Sequence, residues 1–177
     1  LPVPKAWREK LRKLIGNKNV RGKPIMAYRP ITLNTAWNCA PRSPDWKAYA
    51  ALYQHIRDRF FVVSVADLKV GKEWIVGAEQ SVDLKFNHGE LDFEMLAALF
   101  AEADLAFCNA GFSPILAQAV GTPSITVYGG HESSKTTNSA GAHLAPSLFI
   151  EPDKPCDCHA WGHACEKLKQ ITLPPAL

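Results

Sequence analysis

Residues 103–130 decide the fold, and they read ADLAFCNA, GFSPILAQAV and GTPSITVYGG in succession. This order predicts a buried strand, a tight turn, a short helix, a Gly-Thr-Pro break, a second buried strand and a diglycine turn. In a parallel sheet such turns lie at the carboxyl ends of the strands, where free amide groups and the positive end of a helix dipole can hold an anion. The stretch therefore predicts a site for a phosphate-bearing ligand.

Helical and strand patterns alternate on both sides of this stretch. Residues 4–15 place apolar side chains on one face and basic ones on the other, which predicts an amphipathic helix ending near Gly16. Further helices are expected to start at Ser43-Pro44-Asp45, with Ser43 as the cap, and at Asp92. Strands are expected at residues 24–30, 60–65, 81–84 and 147–150, with 81–84 at the sheet edge.

The alternation of strands and helices predicts a three-layer, doubly wound parallel α/β sheet of the Rossmann-like kind. A single domain over residues 1–177 is expected, with a cysteine- and histidine-bearing tail at residues 151–177. Residues 69–77 fit either a strand or a short helix. Residues 31–44 form a long loop rich in Thr, Asn and Pro, for which a functional role and disorder are both open.

Composition and charge exclude several classes of protein. The chain is 47% hydrophobic and 21% charged, with a net charge of +3 and a pI near 8.6. This basic excess is too small and too dispersed to indicate a nucleic-acid partner. No apolar run is long enough for a transmembrane segment, and no signal-peptide pattern is present. The expected location is the cytoplasm, either free or peripheral to the inner face of the membrane.

Candidate ligand contacts lie on the turns that follow the predicted strands. Glycines and hydroxyls there supply donors to an anion, and Arg29, Arg42 and Lys47 could neutralise it. A glycine in such a turn is equally explained by turn geometry, and a histidine there by surface exposure. We expect ligand contacts from Thr32, Asn34, Arg42, Asn109, Gly111, Phe112, Ser113, Gly129, Gly130 and His131.

The tail concentrates sulfur and imidazole groups. Cys156, Cys158, His163 and Cys165 could provide the four ligands of a zinc ion. The Cys-x-Cys spacing is tighter than the usual Cys-x-x-Cys, and no second pair follows. We therefore expect no cofactor, with zinc as the alternative to reduced or disulfide-paired cysteines.

From residue 81 to residue 165 the order of features resembles glycosyltransferase family 9, the ADP-heptose:lipopolysaccharide heptosyltransferases of GT-B architecture. Residues 109–117 are similar to that family's Asn-Asp-Ser-Gly-Pro-Met-His-x-Ala turn and helix. Residues 121–123 match its Gly-Thr-Pro, residues 128–130 its Phe-Gly-Pro, and residues 155–158 its cysteine-bearing end. Upstream, Arg42 occupies the place of a basic residue that precedes a helix in the family.

The resemblance implies the carboxy-terminal, donor-binding half of a GT-B enzyme, which binds a nucleotide sugar, possibly of the ADP-heptose type, in lipopolysaccharide biosynthesis. It also implies an amino-terminal acceptor-binding domain or subunit that supplies the general base. The family's Asp and His, which contact the donor, correspond to Ala110 and Ile115, and Phe112 stands where a glycine is expected. The sequence therefore identifies no catalytic residue.

Three functions stay open at this point. The first is the donor-binding domain of a glycosyltransferase, active only with a second domain. The second is a non-catalytic descendant of that domain, which serves as a binding or assembly module. The third is a zinc-stabilised α/β protein of unrelated function, which only the tail favours.

Overall fold

A computed structural model describes residues 1–19, 21–35, 42–137 and 145–153. The strands are β1 (Ile25–Tyr28), β2 (Thr32–Asn34), β3 (Phe61–Val65), β4 (Glu73–Ile75), β5 (Leu84–Phe86), β6 (Leu105–Asn109), β7 (Ser124–Val127) and β8 (Ser147–Ile150). The helices are α1 (Lys5–Ile15), α2 (Trp46–Arg57), α3 (Phe93–Glu102), α4 (Phe112–Val120) and α5 (Ser134–Thr137), and a 3₁₀ turn (Gly16–Lys18) follows α1.

A six-stranded parallel sheet in the order β5-β3-β1-β6-β7-β8 forms the centre of the fold. Its central strands β1, β3 and β6 are buried on both faces, as their near-continuous apolar sequences predict for a parallel sheet. The short strands β2 and β4 form a separate antiparallel ribbon. The predicted parallel α/β sheet with flanking helices is confirmed.

Two apolar clusters lie on opposite faces of the sheet and make the three layers. One cluster contains Leu11 of α1, Leu99 of α3 and Leu116 of α4. The other contains Tyr49 and Tyr53 of α2 against the side chains that point the opposite way from β1, β3 and β6. Successive side chains of a strand alternate between faces, so each central strand supplies both clusters.

Aromatic rings dominate the α2 face of the sheet. The ring centroids of Tyr28 and Tyr53 lie 4.5 Å apart, and those of Tyr49 and Phe107 lie 4.8 Å apart. Both α2 phenols donate to backbone carbonyls, Tyr49 to that of Arg29 and Tyr53 to that of residue 81, each at 2.6 Å. The buried hydroxyls are thereby satisfied, as a buried polar group requires.

The N-terminus of α2 and the edge strand differ from the sequence expectation. Asp45 caps α2, since its carboxylate accepts from the amides of Lys47 and Ala48, so Ser43 is not the cap. The edge strand runs Leu84–Phe86 rather than over residues 81–84. Asp83 precedes it, and its carboxylate accepts from the amide of Val62 in β3 at 2.8 Å.

Two loop regions become clear in the structure. The first part of the expected loop at residues 31–44 is strand β2, while residues 36–41 lie outside the described chain. The ambiguous segment at residues 69–77 contains strand β4, and it pairs with β2.

On α1, the apolar face buries Leu11 and Ile15 but leaves Leu14 44% exposed.

We expect the buried phenols to make the fold sensitive to alkali. Burial raises the pKa of Tyr53 to about 12 and also raises the pKa values of Tyr28 and Tyr49. Above about pH 10 these phenols ionise in the unfolded chain but stay protonated in the folded chain. Stability should therefore be intact below that pH and fall by about 1.4 kcal/mol per pH unit for each phenol above it.

Urea unfolding at pH 8 to 12 measures this dependence. Tyr53→Phe should lower stability at pH 8, because it loses the bond to the residue 81 carbonyl. Its free energy of unfolding should then fall less steeply with pH than that of the wild type. A wild-type free energy that does not change across this range would contradict the prediction.

Candidate functional site

A cavity of about 740 Å³ opens at the carboxyl ends of β1, β3, β5 and β6. This volume lies within the range of about 300–1,000 Å³ that is typical of small-molecule sites. Among the residues expected from sequence to contact a ligand, the cavity is lined by Thr32, Asn34, Arg42, Asn109, Gly111, Phe112 and Ser113. The turn after β6, at the centre of the quoted stretch, forms one of its walls.

The turn between β6 and α4 depends on a glycine. Gly111 is the N-cap residue of α4 and has φ 143° and ψ −151°, a conformation that is essentially restricted to glycine. No side chain caps this helix. The amides of Phe112 and Ser113 begin the helix, and Pro114 has no N–H, so the donors available at this end come from two residues.

Phe112 does not occupy the strained position of the turn. The glycine-only backbone belongs to Gly111, and Phe112 is the first residue of α4. Its side chain is 53% exposed and forms part of the cavity wall.

Arg29 is committed to bonds within the protein. Its guanidinium donates to the carbonyl of Val65 at 3.1 Å, to the hydroxyl of Thr32 at 2.9 Å and to the carboxylate of Glu73 at 2.6 Å. These bonds hold the β2–β4 ribbon against the end of β3. Arg29 therefore positions the ribbon as a cavity wall, and its charge is already neutralised by Glu73.

Arg42 also lines the cavity and is paired with Glu132. Its Nε is 2.9 Å from one carboxylate oxygen and its Nη2 donates to the other at 3.3 Å. The Nε–H is not directed at the carboxylate and has no hydrogen-bond partner among the described residues. The two side chains are 25% and 17% exposed. Within the described part of the chain, this pair is therefore less completely bonded than the pair of Arg29 and Glu73.

A third ion pair lies beyond β3, where Lys69 donates to one oxygen of Asp67 at 2.8 Å. This bond raises the pKa of Lys69. The other oxygen of Asp67 has no hydrogen-bond partner among the described residues. It lies against Gly89, where an added Cβ would come within 2.5 Å of it, so glycine is needed for this close approach. Asp67, Lys69 and Gly89 all line the cavity.

Several residues singled out from sequence lie elsewhere. Gly129, Gly130 and His131 follow β7 and are not part of the cavity lining, although Glu132 beside them is. Lys47 lies on α2, with its ammonium 5.8 Å from the ring centroid of Trp46.

The two positions that correspond to the donor-contacting residues of the resemblance are separated in the structure. Ala110 lines the cavity and is 9% exposed. Ile115 is 49% exposed and lies outside the lining.

Cys156, Cys158, His163 and Cys165 lie outside the described residues. Within the described residues no cluster of His, Cys, Asp and Glu could hold a metal ion. Cys108 is buried in β6, and burial raises the pKa of its thiol to about 12.

Sequence reasoning missed the residues that complete the cavity, including Asp67, Lys69, Leu91, Leu96 and Glu132. Asp67 carried the best available signal, since it follows a buried strand by two residues, at the edge where ligands bind in parallel sheets. Glu132 carried none, because its partner Arg42 is ninety positions away in the chain.

No protein-family model matches the sequence, and no curated protein matches it. The fold resembles two solved structures. One is the glycosyl transferase family 9 protein from Veillonella parvula (TM-score 0.61, 14% identity, 85% of this chain and 42% of that one). The other is ADP-heptose lps heptosyltransferase II from E. coli (TM-score 0.57, 14% identity, 97% of this chain and 49% of that one). This chain spans less than half the length of either neighbour.

These neighbours agree with the sequence expectation at the level of the fold. Structural relatives in glycosyltransferase family 9 have the same Rossmann-like arrangement. In the described part of the chain, no helix combines the length and the apolarity needed to cross a bilayer.

We expect the backbone of Gly111 to be the most demanding point of the site. Gly111→Ala places a Cβ in open space but forces alanine into a conformation that costs about 2–3 kcal/mol. Gly121 ends the same helix with φ 85° and ψ 21°, also in open space, so Gly121→Ala should cost only about 1 kcal/mol. Chemical denaturation measures both variants, and equal costs would contradict the prediction.

Proposed function

We propose that this chain binds the nucleoside-diphosphate part of a nucleotide sugar in the cavity at the carboxyl edge of the sheet. The observation that carries the proposal is the N-terminus of α4. It has no side-chain cap and belongs to a wall of an open cavity of about 740 Å³. The helix dipole and the amides of Phe112 and Ser113 favour an anion at this point.

The charges around the cavity fit a ligand that carries its own negative groups. Arg42 and Glu132 form a largely buried pair in which one guanidinium N–H lacks an aligned acceptor among the residues that the structure describes. A phosphate offers more acceptor oxygens than a carboxylate and binds arginine in the same two-pronged manner. A diphosphate at the start of α4 would therefore take over Arg42 from Glu132.

The proposal extends to the class of donor and to a partner. Both structural neighbours are glycosyltransferases by name, and one is named for ADP-heptose. We accordingly take a nucleotide sugar of the ADP-heptose type as the ligand and lipopolysaccharide biosynthesis in the cytoplasm as the setting. Since the chain spans less than half of each neighbour, the acceptor site would come from a second domain or subunit.

A second candidate function is a binding or assembly module without catalysis. Ala110 lines the cavity where the resemblance places an acidic residue, and alanine supplies no charge to a transition state. Ile115 is exposed and lies outside the cavity lining. Both observations favour a descendant that keeps the binding site and has lost the reaction.

Calorimetric titration of the full chain with ADP, UDP and pyrophosphate tests the proposal. Saturable binding of a nucleoside diphosphate supports it, and the absence of binding by all three ligands would contradict it. Hydrolysis of a nucleotide sugar by the wild type would favour the enzyme. Binding without hydrolysis, with hydrolysis gained in Ala110→Asp, would favour the non-catalytic descendant.

The charge of Glu132 should weaken the binding of any anion. Glu132→Gln releases Arg42 from its carboxylate, and we expect the affinity for ADP to rise about three- to tenfold, because an ionic partner is worth about 1 kcal/mol in such a setting. The rise should shrink at high salt. Titration calorimetry at low and high salt measures both effects.

Glu79→Gln is the matched control for this variant. Glu79 pairs with Lys85 at 2.8 Å, with both side chains half exposed, and it lies outside the cavity lining. The substitution changes the net charge equally and should leave the affinity for ADP unchanged. An equal rise in both variants would show a general charge effect and would refute the role given to the Arg42–Glu132 pair.

A further inference from the structure

Three large apolar side chains are exposed at the N-terminal ends of α3 and α4. Phe93 is 55% exposed, Phe112 is 53% exposed and Ile115 is 49% exposed. The ring centroids of Phe93 and Phe112 lie 6.3 Å apart with an angle of 50° between the ring planes. Phe93 therefore supports one side of the Phe112 ring, while much of that ring stays in contact with solvent.

Phe112 differs from the other two because it lines the cavity. The same cavity is lined by Phe86 of β5, by Leu91 of the loop before α3 and by Leu96 of α3. The cavity consequently has an apolar wall on the side of α3 and α4. The ion pairs of Arg29 and Arg42 belong to its polar part.

A simple anion would leave the apolar wall uncovered. Phosphate or pyrophosphate could bind the amides at the start of α4, yet it would bring nothing that displaces water from the Phe112 ring. A nucleobase covers such a surface well, because every base has a flat π-face that stacks on an aromatic side chain. This stacking does not depend on which polar groups lie at the edge of the base. The wall is thus matched to a ligand that joins a flat ring to an anion.

We propose that Phe112 is the stacking platform for the nucleobase of the bound nucleoside diphosphate. This inference rests on the proposed function and adds the residue that distinguishes a nucleotide from a bare diphosphate. The amides of Phe112 and Ser113 hold the phosphate, and the ring of Phe112, on the same residue, contacts the base. Stacking imposes little choice among bases, so the Phe112 ring itself discriminates weakly between ADP and UDP.

Titration of Phe112→Ala with ADP and with pyrophosphate tests the proposal. Loss of one base–aromatic stack should weaken ADP binding about tenfold or more, while pyrophosphate binding stays as in the wild type. Phe112→Trp should retain or improve ADP binding, because it preserves an aromatic face. Thermal unfolding of each variant checks that the fold is intact.

Ile115→Ala is the matched control. Ile115 has nearly the same exposure, lies on the same helix and does not line the cavity, so its loss should leave the affinities for ADP and pyrophosphate unchanged. Wild-type affinity for ADP in Phe112→Ala, or equal weakening of ADP and pyrophosphate in that variant, would overturn the stacking role and leave the proposed function standing. Failure of the wild type to bind either ligand would overturn both.

Discussion

Arg29 is the residue on which the geometry of the cavity depends. It follows β1 directly, and its amide donates to the carbonyl of Phe107 at 2.9 Å, which continues the pairing of β1 with β6. Its own carbonyl accepts the phenol of Tyr49 at 2.6 Å, which ties α2 to the sheet. Its guanidinium then joins the end of β3 to the β2–β4 ribbon. One side chain thereby fixes the distance between the sheet and the ribbon that closes the cavity.

This use of Arg29 determines how the site can attract a ligand. A guanidinium held by three internal acceptors positions the ribbon but offers no free charge to a ligand. The free energy lost when a largely buried ion pair is broken exceeds the free energy that a surface ion pair contributes. Arg42 is bonded less completely, because its Nε–H lacks an aligned acceptor among the described residues. In the function we propose, the attraction for an anion therefore depends on the start of α4 and on exchange at Arg42 rather than on a net positive surface.

The sequence predicted the sheet well because its signals are local. Buried strands such as β3 and β6 show apolar runs of β-forming residues, and α3 shows a capping Asp92 before a helical apolar stripe. The β2–β4 ribbon had no such signal, since each strand has three residues and pairs at long range. Asp45, rather than the expected Ser43, caps α2 because its carboxylate accepts hydrogen bonds from two backbone amides.

The site was predicted less completely, and for a related reason. The turn after β6 could be located because strand, glycine and helix follow one another in the chain, and Gly111 carries the backbone that the pattern requires. The cavity also needs Asp67, Lys69 and Glu132, which come from other turns and meet only in the folded chain. Gly129, Gly130 and His131 were expected in the site because they follow a strand directly, but they lie outside the cavity lining.

The central claim is that the uncapped start of α4 holds the phosphates of a nucleotide, and amide NMR during titration with ADP tests it most directly. The N-terminus of α2 provides an internal comparison, because the carboxylate of Asp45 already accepts from the amide of Ala48 at 2.9 Å. We expect large shifts of the Phe112 and Ser113 amide signals, with little change at Ala48. Equal changes at the two helices, or no change at Phe112 and Ser113 while ADP binds, would contradict it.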